Sequence, residues 1–307
     1  MTSTRAATQA ETAAWQDDWR TRLQAWYELP GAQPDWVGQQ VDRRLSLADV
    51  ATSSAVFALQ SGDDHVGVLA VALTEQDGRP GVVISDIWIA PAHRRQGHGT
   101  AALRHAESWA VHQKARSVWV LTDPADPVHA AFFSGYPVRA RQMIKELRAP
   151  AQLADGLEGR PMTEAEFADW RAETVTGYAS DMADSGTLSP DDALTASVAE
   201  MDHLLPDGLR TEQHSFLSLS AGGQVVATNW IYHHRSPGVS WVYGVETHEG
   251  HRGKGYGRAA MIIGEQATLA AGDTHLGLNV FGHNTVAISM YENMGYRAYD
   301  HGRSIEI

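Results

Sequence analysis

The stretch Ile89-Ala-Pro-Ala-His-Arg94-Arg-Gln-Gly97-His-Gly99 comes back later in the chain as Thr247-His-Glu-Gly-His-Arg252-Gly-Lys-Gly255-Tyr-Gly257, with Arg94 matching Arg252 at a spacing of 158 residues. Self-similarity of this kind is read before any motif, because it sets the whole architecture. The echo extends both ways. Glu11 and Trp15 are matched by Glu166 and Trp170 at a spacing of 155, and Gly135-Tyr136 by Gly295-Tyr296 at 160. Such drift is what a duplication with short insertions leaves behind. At 307 residues the chain has the length of two domains. The Pro, Gly and small residues of 148–161 mark a boundary, so we expect one copy over 1–150 and a second over 151–307.

Local signals order the second copy. Thr163 followed by Glu166 is a capping box opening a helix that runs to about Tyr178. Ser189 caps a second helix, with Pro190 in its first turn and Asp191 and Asp192 at the positive end of its dipole. Segments 216–220 and 225–232 read as a hairpin, and 240–247 as the next strand. The glycine loop then opens a helix over about 258–271, ended by Gly272. A strand at 276–281, a helix over 284–294 ended by Gly295, and a last strand near 303–307 complete the copy. This order specifies a mixed α/β sheet.

Composition narrows the function. The chain has no cysteine, which excludes disulfides, thiolate metal sites and a cysteine nucleophile. Its formal net charge of −13 argues against a nucleic-acid partner. The charge is uneven: residues 1–150 carry 15 Lys+Arg against 16 Asp+Glu, and the remainder 9 against 21. An acidic second half favours a cationic small molecule such as an amine, or simply solubility. The opening MTSTRAATQAETAAW has no apolar signal core, and no apolar run is long enough to span a membrane. We therefore expect a cytoplasmic protein with no membrane partner.

Gly255 and Gly257 sit where a strand gives way to a helix. There the backbone can curl and aim several N–H groups and the helix dipole at one anion. Arg252, Lys254 and Arg258 add positive charge, and a pyrophosphate suits the arrangement. A lone glycine turn would carry little weight. This one occurs twice, and Asn284-Thr-Val-Ala-Ile-Ser-Met-Tyr291-Glu-Asn-Met-Gly295-Tyr296 follows the second at a fixed distance. Arg252-Gly-Lys-Gly255-Tyr-Gly257 resembles the R/Q-x-x-G-x-G/A signature of the GNAT (GCN5-related) N-acetyltransferases, and Asn284 to Tyr296 their later N-x-x-A-x-x-x-Y-x-x-x-G-Y/F segment. The doubled arrangement is similar to that of tandem-GNAT enzymes.

The resemblance implies two tandem GNAT folds, each a mixed, mostly antiparallel central sheet flanked by helices, with acetyl-CoA as cofactor. It implies that Val245 to Thr247 pair with pantetheine. Arg252, Gly253, Lys254, Gly255, Tyr256, Gly257 and Arg258 would grip the pyrophosphate, and Asn284 would lie beside the cofactor tail. In the first copy the matching set is Ile89, Arg94, Arg95, Gln96, Gly97, His98, Gly99 and Thr100.

Acetyl transfer to an amine needs neutral nitrogen. An alkylamine of pKa about 10.4 is only about one part in a thousand neutral near pH 7.4, a deficit of roughly 4 kcal/mol. Glu246, on the strand beside the acetyl position, is the candidate base, with Tyr243 or His251 as alternative relays. Tyr291 matches the family's general acid, a phenol able to protonate the departing thiolate. Tyr178, Asp181, Trp230 and Tyr232 are candidate walls of an amine pocket through cation–π and charge contacts.

In the first copy Phe133 stands at the position of Tyr291 and Asp126 at that of Asn284. We expect that copy to keep a CoA-binding loop without efficient catalysis. His233-His234 and His248 with His251 do not form a metalloprotease-type helix pattern, and no metal is expected. Tryptophans such as Trp15, Trp170, Trp230 and Trp241 are expected in cores and along the seam between copies. The acceptor expected is a small-molecule amine; a protein or peptide N-acetyltransferase and a non-catalytic acyl-CoA sensor are the alternatives.

Overall fold

Both halves of the chain open with the same local device. The computed structural model describes residues 2–29, 31–76, 79–184 and 189–307. In it a short strand, β1 (Thr2–Ala6), leads into helix α1 (Gln9–Tyr27). At the junction Thr8 Oγ1 accepts the Glu11 amide, and Glu11 accepts the Thr8 amide at 2.8 Å. Arg5 clasps the same carboxylate with two N–H donors, at 2.8 and 2.6 Å. The second half repeats this: Thr163 and Glu166 form the box, and Arg160 donates to Glu166 at 2.7 and 2.6 Å. Arg160 holds the Glu166 carboxyl down at about 2, aided by the Thr163 amide. Thr163→Ala is expected to cost about 1 kcal/mol, the usual worth of an N-cap hydroxyl, read by urea denaturation.

After α1 the first half continues through α2 (Pro34–Leu45), α3 (Leu47–Val50), β2 (Ser53–Ser61), β3 (Asp64–Gln76), β4 (Arg79–Ile89), α4 (His98–His112), β5 (Ser117–Thr122), α5 (Pro127–Phe132) and β6 (Val138–Glu146). The second half follows as β7 (Leu157–Pro161), α6 (Glu164–Asp184), α7 (Pro190–Leu204), β8 (His214–Ala221), β9 (Gln224–Ser236), β10 (Val239–Thr247), α8 (Tyr256–Ala270), β11 (His275–Phe281), α9 (Thr285–Asn293) and β12 (Arg297–Glu306). Apart from α3, the order of elements is the same twice. Helix α6 outruns its expected end near Tyr178, because Gly177 there does not take up left-handed backbone and so does not stop it. Strand β12 begins six residues before the expected 303.

The chain divides into two compact units: Met1–Met143 with Asn279–Ile307, and Ile144–Leu278. The division differs from that of the two sequence copies. In the first unit the strands lie in the order β1-β2-β3-β4-β5-β12-β6, with β12 antiparallel to β5 from His301↔Thr122 to Glu306↔Ser117. The last strand of the chain thus completes the sheet begun by its first half. In the second unit the order is β11-β10-β9-β8-β7. The pairs β1–β2, β2–β3, β3–β4, β5–β12, β7–β8, β8–β9 and β9–β10 are antiparallel, while β4 with β5 and β10 with β11 are parallel contacts that the intervening helices α4 and α8 permit.

Small residues let the helices sit close to the sheets. Ala102, Ala106 and Ala110, one helical turn apart on α4, are wholly buried against Leu69, Ile84 and Val118. On α8 a Cβ at Gly264 would lie 2.6 Å from the Asn229 amide nitrogen. That nitrogen donates to the Ala260 carbonyl at 2.7 Å, so helix and strand are joined backbone to side chain. Trp15 stacks on Trp19 at 5.1 Å in the first unit. In the second, Trp230 is buried with Phe167 and Phe216, and Trp170 packs against them.

Candidate active site

Each unit holds one parallel strand pair that stops short. Strand β4 pairs with β5 only from Gly81↔Ser117 to Ile84↔Val120, and β10 with β11 only from Val239↔His275 to Val242↔Leu278. At the next residue each strand carries a bulge. Against β3 the register shifts after Ile84, leaving Ser85 extra; against β9 it shifts after Val242, leaving Tyr243 extra. A bulge adds twist and bends its strand. Beyond it, Gly244 to Thr247 pair with β9 alone, as Asp86 to Ile89 pair with β3 alone. Backbone groups on the other side of Val245, Glu246 and Thr247 are left to pair with an extended, amide-bearing ligand.

The loop after each strand is bent in the same way. Arg94 Nε donates to the Ile89 carbonyl at 2.9 Å, and Arg252 Nε to that of Thr247 at 3.4 Å. Gln96 reaches back to the Ala92 carbonyl at 3.2 Å, and Lys254 to Gly250 at 3.2 Å. Arg95 and Gly253 adopt left-handed backbone at φ 64° and 76°, and Gly97 and Gly255 do so at 87° and 82°. The helices then start without a side-chain cap. Their first bonds run from Ala101 to Gly97 at 3.0 Å and from Ala259 to Gly255 at 3.1 Å. The preceding amides, of His98, Gly99 and Thr100 and of Tyr256, Gly257 and Arg258, have no carbonyl one turn back to bond. Uncapped amides with the dipole behind them suit a pyrophosphate, and the free strand edge suits pantetheine, so the residues fit the tail of CoA.

The side chains around the two loops differ. His98 is buried and shares a 2.8 Å hydrogen bond with Thr2, so its imidazole is turned away from the loop surface. A Cβ at Gly99 would lie 3.2 Å from the Phe132 ring. Tyr256 is half-buried beside His251, with ring centroids 6.1 Å apart, while Arg252, Lys254 and Arg258 are exposed.

Tyr291 lies on α9, buried, its ring 5.8 Å from Tyr296. Its hydroxyl has no hydrogen-bond partner among the described residues, and burial pushes it up to about 12. Asn284 caps α9, accepting the Ala287 amide at 3.1 Å. In the first copy Asp126 does the same for α5, accepting Val128 N–H at 2.7 Å. Phe133 there is buried between Phe132 and Tyr136, at 4.8 and 5.8 Å. Glu246 is exposed, with no ion pair among the described residues.

Two of the expected amine-pocket residues come together: Trp230 and Tyr232 both lie against His214 and Tyr243. Trp230 is buried, and its indole donates to His214 Nδ1 at 2.8 Å. Tyr232 stacks on His214 at 4.5 Å, and the exposed ring of Tyr243 lies 4.8 Å from Trp230. Tyr178 is exposed on α6, and the side chain of Asp181 lies outside the described residues. Sequence reasoning missed His214 and the two bulges. No motif marks a bulge, and His214, the first residue of β8, lies before the 216–220 run that reads as a strand in the sequence. Among the described residues no group of three or more His, Asp or Glu is placed to hold a metal, and no helix is long and apolar enough to cross a membrane.

Comparison with known proteins agrees with this geometry. The acetyltransferase (GNAT) family matches residues 10–136 and again 184–296. The mycothiol acetyltransferase of Kineococcus radiotolerans is 30% identical over 296 residues, spanning 87% of this chain and 92% of that protein. The uncharacterized N-acetyltransferase YycN of Bacillus subtilis is 33% identical over 144 residues, 46% of this chain and 92% of its own length. Among solved structures, a GCN5-related N-acetyltransferase from Sphaerobacter thermophilus shares the fold at TM-score 0.56 and 15% identity, over 99% of this chain and 95% of that one. A tandem GNAT protein from the clavulanic acid biosynthesis pathway does so at TM-score 0.50 and 18% identity, over 100% and 98%. With both copies matched, the chain belongs to the acetyltransferase (GNAT) family and is an acetyl-CoA-dependent acetyltransferase of tandem architecture.

Proposed function

We propose that the acceptor is the primary amine of a small molecule and that the second sequence copy, 151–307, carries the transfer, with the first, 1–150, degenerate as a catalyst. The observation that carries this reading is the buried, protonated phenol of Tyr291, where the first copy has Phe133. Relatives aligned over most of the chain are named for a small molecule, mycothiol, which supports the acceptor class. The exposed aromatic face of Tyr243 beside Trp230, with Glu246 three residues on, suits a cationic amine. We take the compartment to be the cytoplasm; no described helix is long and apolar enough to cross a membrane.

Acetyl-CoA supplies an activated acetyl thioester when bound. Val245 to Thr247 would hold its amide-bearing arm along the free edge of β10, and the amides of 256–258 its pyrophosphate. By their positions in the family motifs, Glu246 would take a proton from the ammonium of the acceptor, directly or through water, and Tyr291 would keep its own proton for a leaving thiolate.

Thiol release with acetyl-CoA against a panel of small amines and short peptides tests the reading. Release with small amines is expected; release with peptides alone would move the acceptor to polypeptides, and tight CoA binding without release would make the chain a sensor. Titration with CoA is expected to find two sites per chain. Gly255→Asp should remove one together with turnover, and Gly97→Asp the other with turnover kept. A Cβ at either position meets nothing within 4 Å, so the effect comes from charge and from the left-handed backbone, not from a clash.

A further inference from the structure

A second set of hydrogen-bonded groups lies in the second unit, away from the acetyl-transfer site. Asp273 is buried in the turn between α8 and β11. Its carboxylate accepts the His234 amide at 2.8 Å, His234 Nδ1–H at 2.9 Å and the Ser240 hydroxyl at 2.7 Å. Ser240 Oγ also lies 2.9 Å from His233 Nδ1, and His233 Nε2 lies 2.8 Å from Ser215 Oγ. Ser240 is on β10 seven residues before Thr247, about 23 Å away along an extended strand.

Counting protons fixes the direction of this chain of bonds. A carboxylate only accepts, so the single hydroxyl hydrogen of Ser240 is committed to Asp273. Ser240 Oγ must therefore accept from His233, which places the imidazole proton on Nδ1. His233 Nε2 is then a bare lone pair, and the remaining contact can only be donation by the Ser215 hydroxyl. Burial lowers the pKa of His233, against the pull of Asp273, so the ring stays neutral and able to accept a proton. Ser240 and His233 are buried, but Ser215 is only half-buried. The ladder between β7 and β8 ends at Pro161↔Leu217, and the last backbone bond on that side, from Met162 N–H to the Phe216 carbonyl at 2.9 Å, stops one residue short of Ser215.

A hydroxyl donating to a bare imidazole nitrogen, whose other nitrogen is oriented through a hydroxyl to a carboxylate, is the arrangement that activates a serine nucleophile. We propose that Ser215 is a reactive serine that takes the acyl group of small activated esters, independently of acetyl-CoA. Ser215 Oγ forms a bond to the ester carbonyl carbon as its proton passes to His233 Nε2. The ester C–O bond breaks, and the leaving oxygen departs with that proton. Water then cleaves the acyl-serine, its proton passing through His233 back to Ser215 Oγ.

The test is to treat the full chain with a fluorophosphonate and map the adduct by peptide mass spectrometry. One adduct per chain on Ser215 is expected, absent in Ser215→Ala and formed about 100-fold more slowly in Ser240→Ala, where the link from His233 to Asp273 is cut. Ser215→Ala should keep its acetyl-CoA-dependent thiol release. Because Ser240 is wholly buried and its loss could unfold the unit, the wild-type protein gives a second reading. A long-range proton–nitrogen spectrum should show His233 protonated at Nδ1 and bare at Nε2. An unlabelled Ser215, equal labelling rates in folded Ser240→Ala, or the opposite tautomer overturns the proposal.

Discussion

Tyr291→Phe is expected to lower kcat for acetyl transfer by about 10²- to 10⁴-fold, the range a positioned general acid supplies, with the KM for acetyl-CoA little changed. The substitution removes one oxygen from a buried ring whose hydroxyl bonds to no described residue, so neither packing nor a hydrogen bond in the fold is lost. First-copy Phe133, just past the end of α5, shows that phenylalanine is accommodated at the matching sequence position, packed edge-on to its neighbours. A general acid must be protonated to act. Burial pushes the Tyr291 phenol up to about 12, so the falling limb it would impose lies at the far alkaline end of any profile. Wild-type turnover should therefore rise with pH as the amine loses its proton and show no decline below pH 10. A Tyr291→Phe enzyme with unchanged kcat would move the proton to water or to another residue.

The loop geometry was legible because it is built from local signals. Gly97 and Gly255 occupy left-handed positions that their sequence context announces, and the capping box at Thr163 and Glu166 sits where its spacing placed it. What the sequence concealed is non-local. The bulges at Ser85 and Tyr243 depend on the register of β4 with β3 and of β10 with β9, and neither a serine nor a tyrosine advertises one. Strand β12 pairs with β5, about 180 residues earlier, a choice of partner that hydrophobic alternation cannot encode. Arg5 and Arg160 escaped notice for the opposite reason. Arginine at a strand end is common, and only its two bonds to the capping glutamate give it meaning.

Cutting Arg44 back to alanine is expected to destabilise the first unit by about 3–5 kcal/mol, the cost of leaving a buried charge without its partner. Arg44 on α2 and Asp300 on β12 are buried at 3% and 0% exposure. Their closest approach is 3.9 Å, and Tyr27 bridges them: Arg44 donates to its hydroxyl at 3.1 Å, and that hydroxyl donates to Asp300 at 3.2 Å. The guanidinium also lies 4.7 Å from the centre of the Trp26 ring, and its Nε has no hydrogen-bond partner among the described residues. Burial outweighs these attractions and pushes the Asp300 carboxyl up to about 6. Its folded pKa thus exceeds the unfolded 3.8, and the penalty for ionising it is absent below that value and complete above about pH 6. His301 next to it works the other way: burial, with Arg141 and Arg303, holds it at about 4, so its contribution is lost as pH falls from 6.5. Comparing wild type with Asp300→Asn cancels the histidine term. Urea denaturation should then find the asparagine variant more favourable relative to wild type at pH 7.5 than at pH 4.5. Arg44→Met with Asp300→Asn, which removes both charges, should recover most of the loss seen in Arg44→Ala. A wild-type advantage that instead grows from pH 4.5 to 7.5 would mean that the pull of Arg44 on the carboxylate exceeds the cost of burying it.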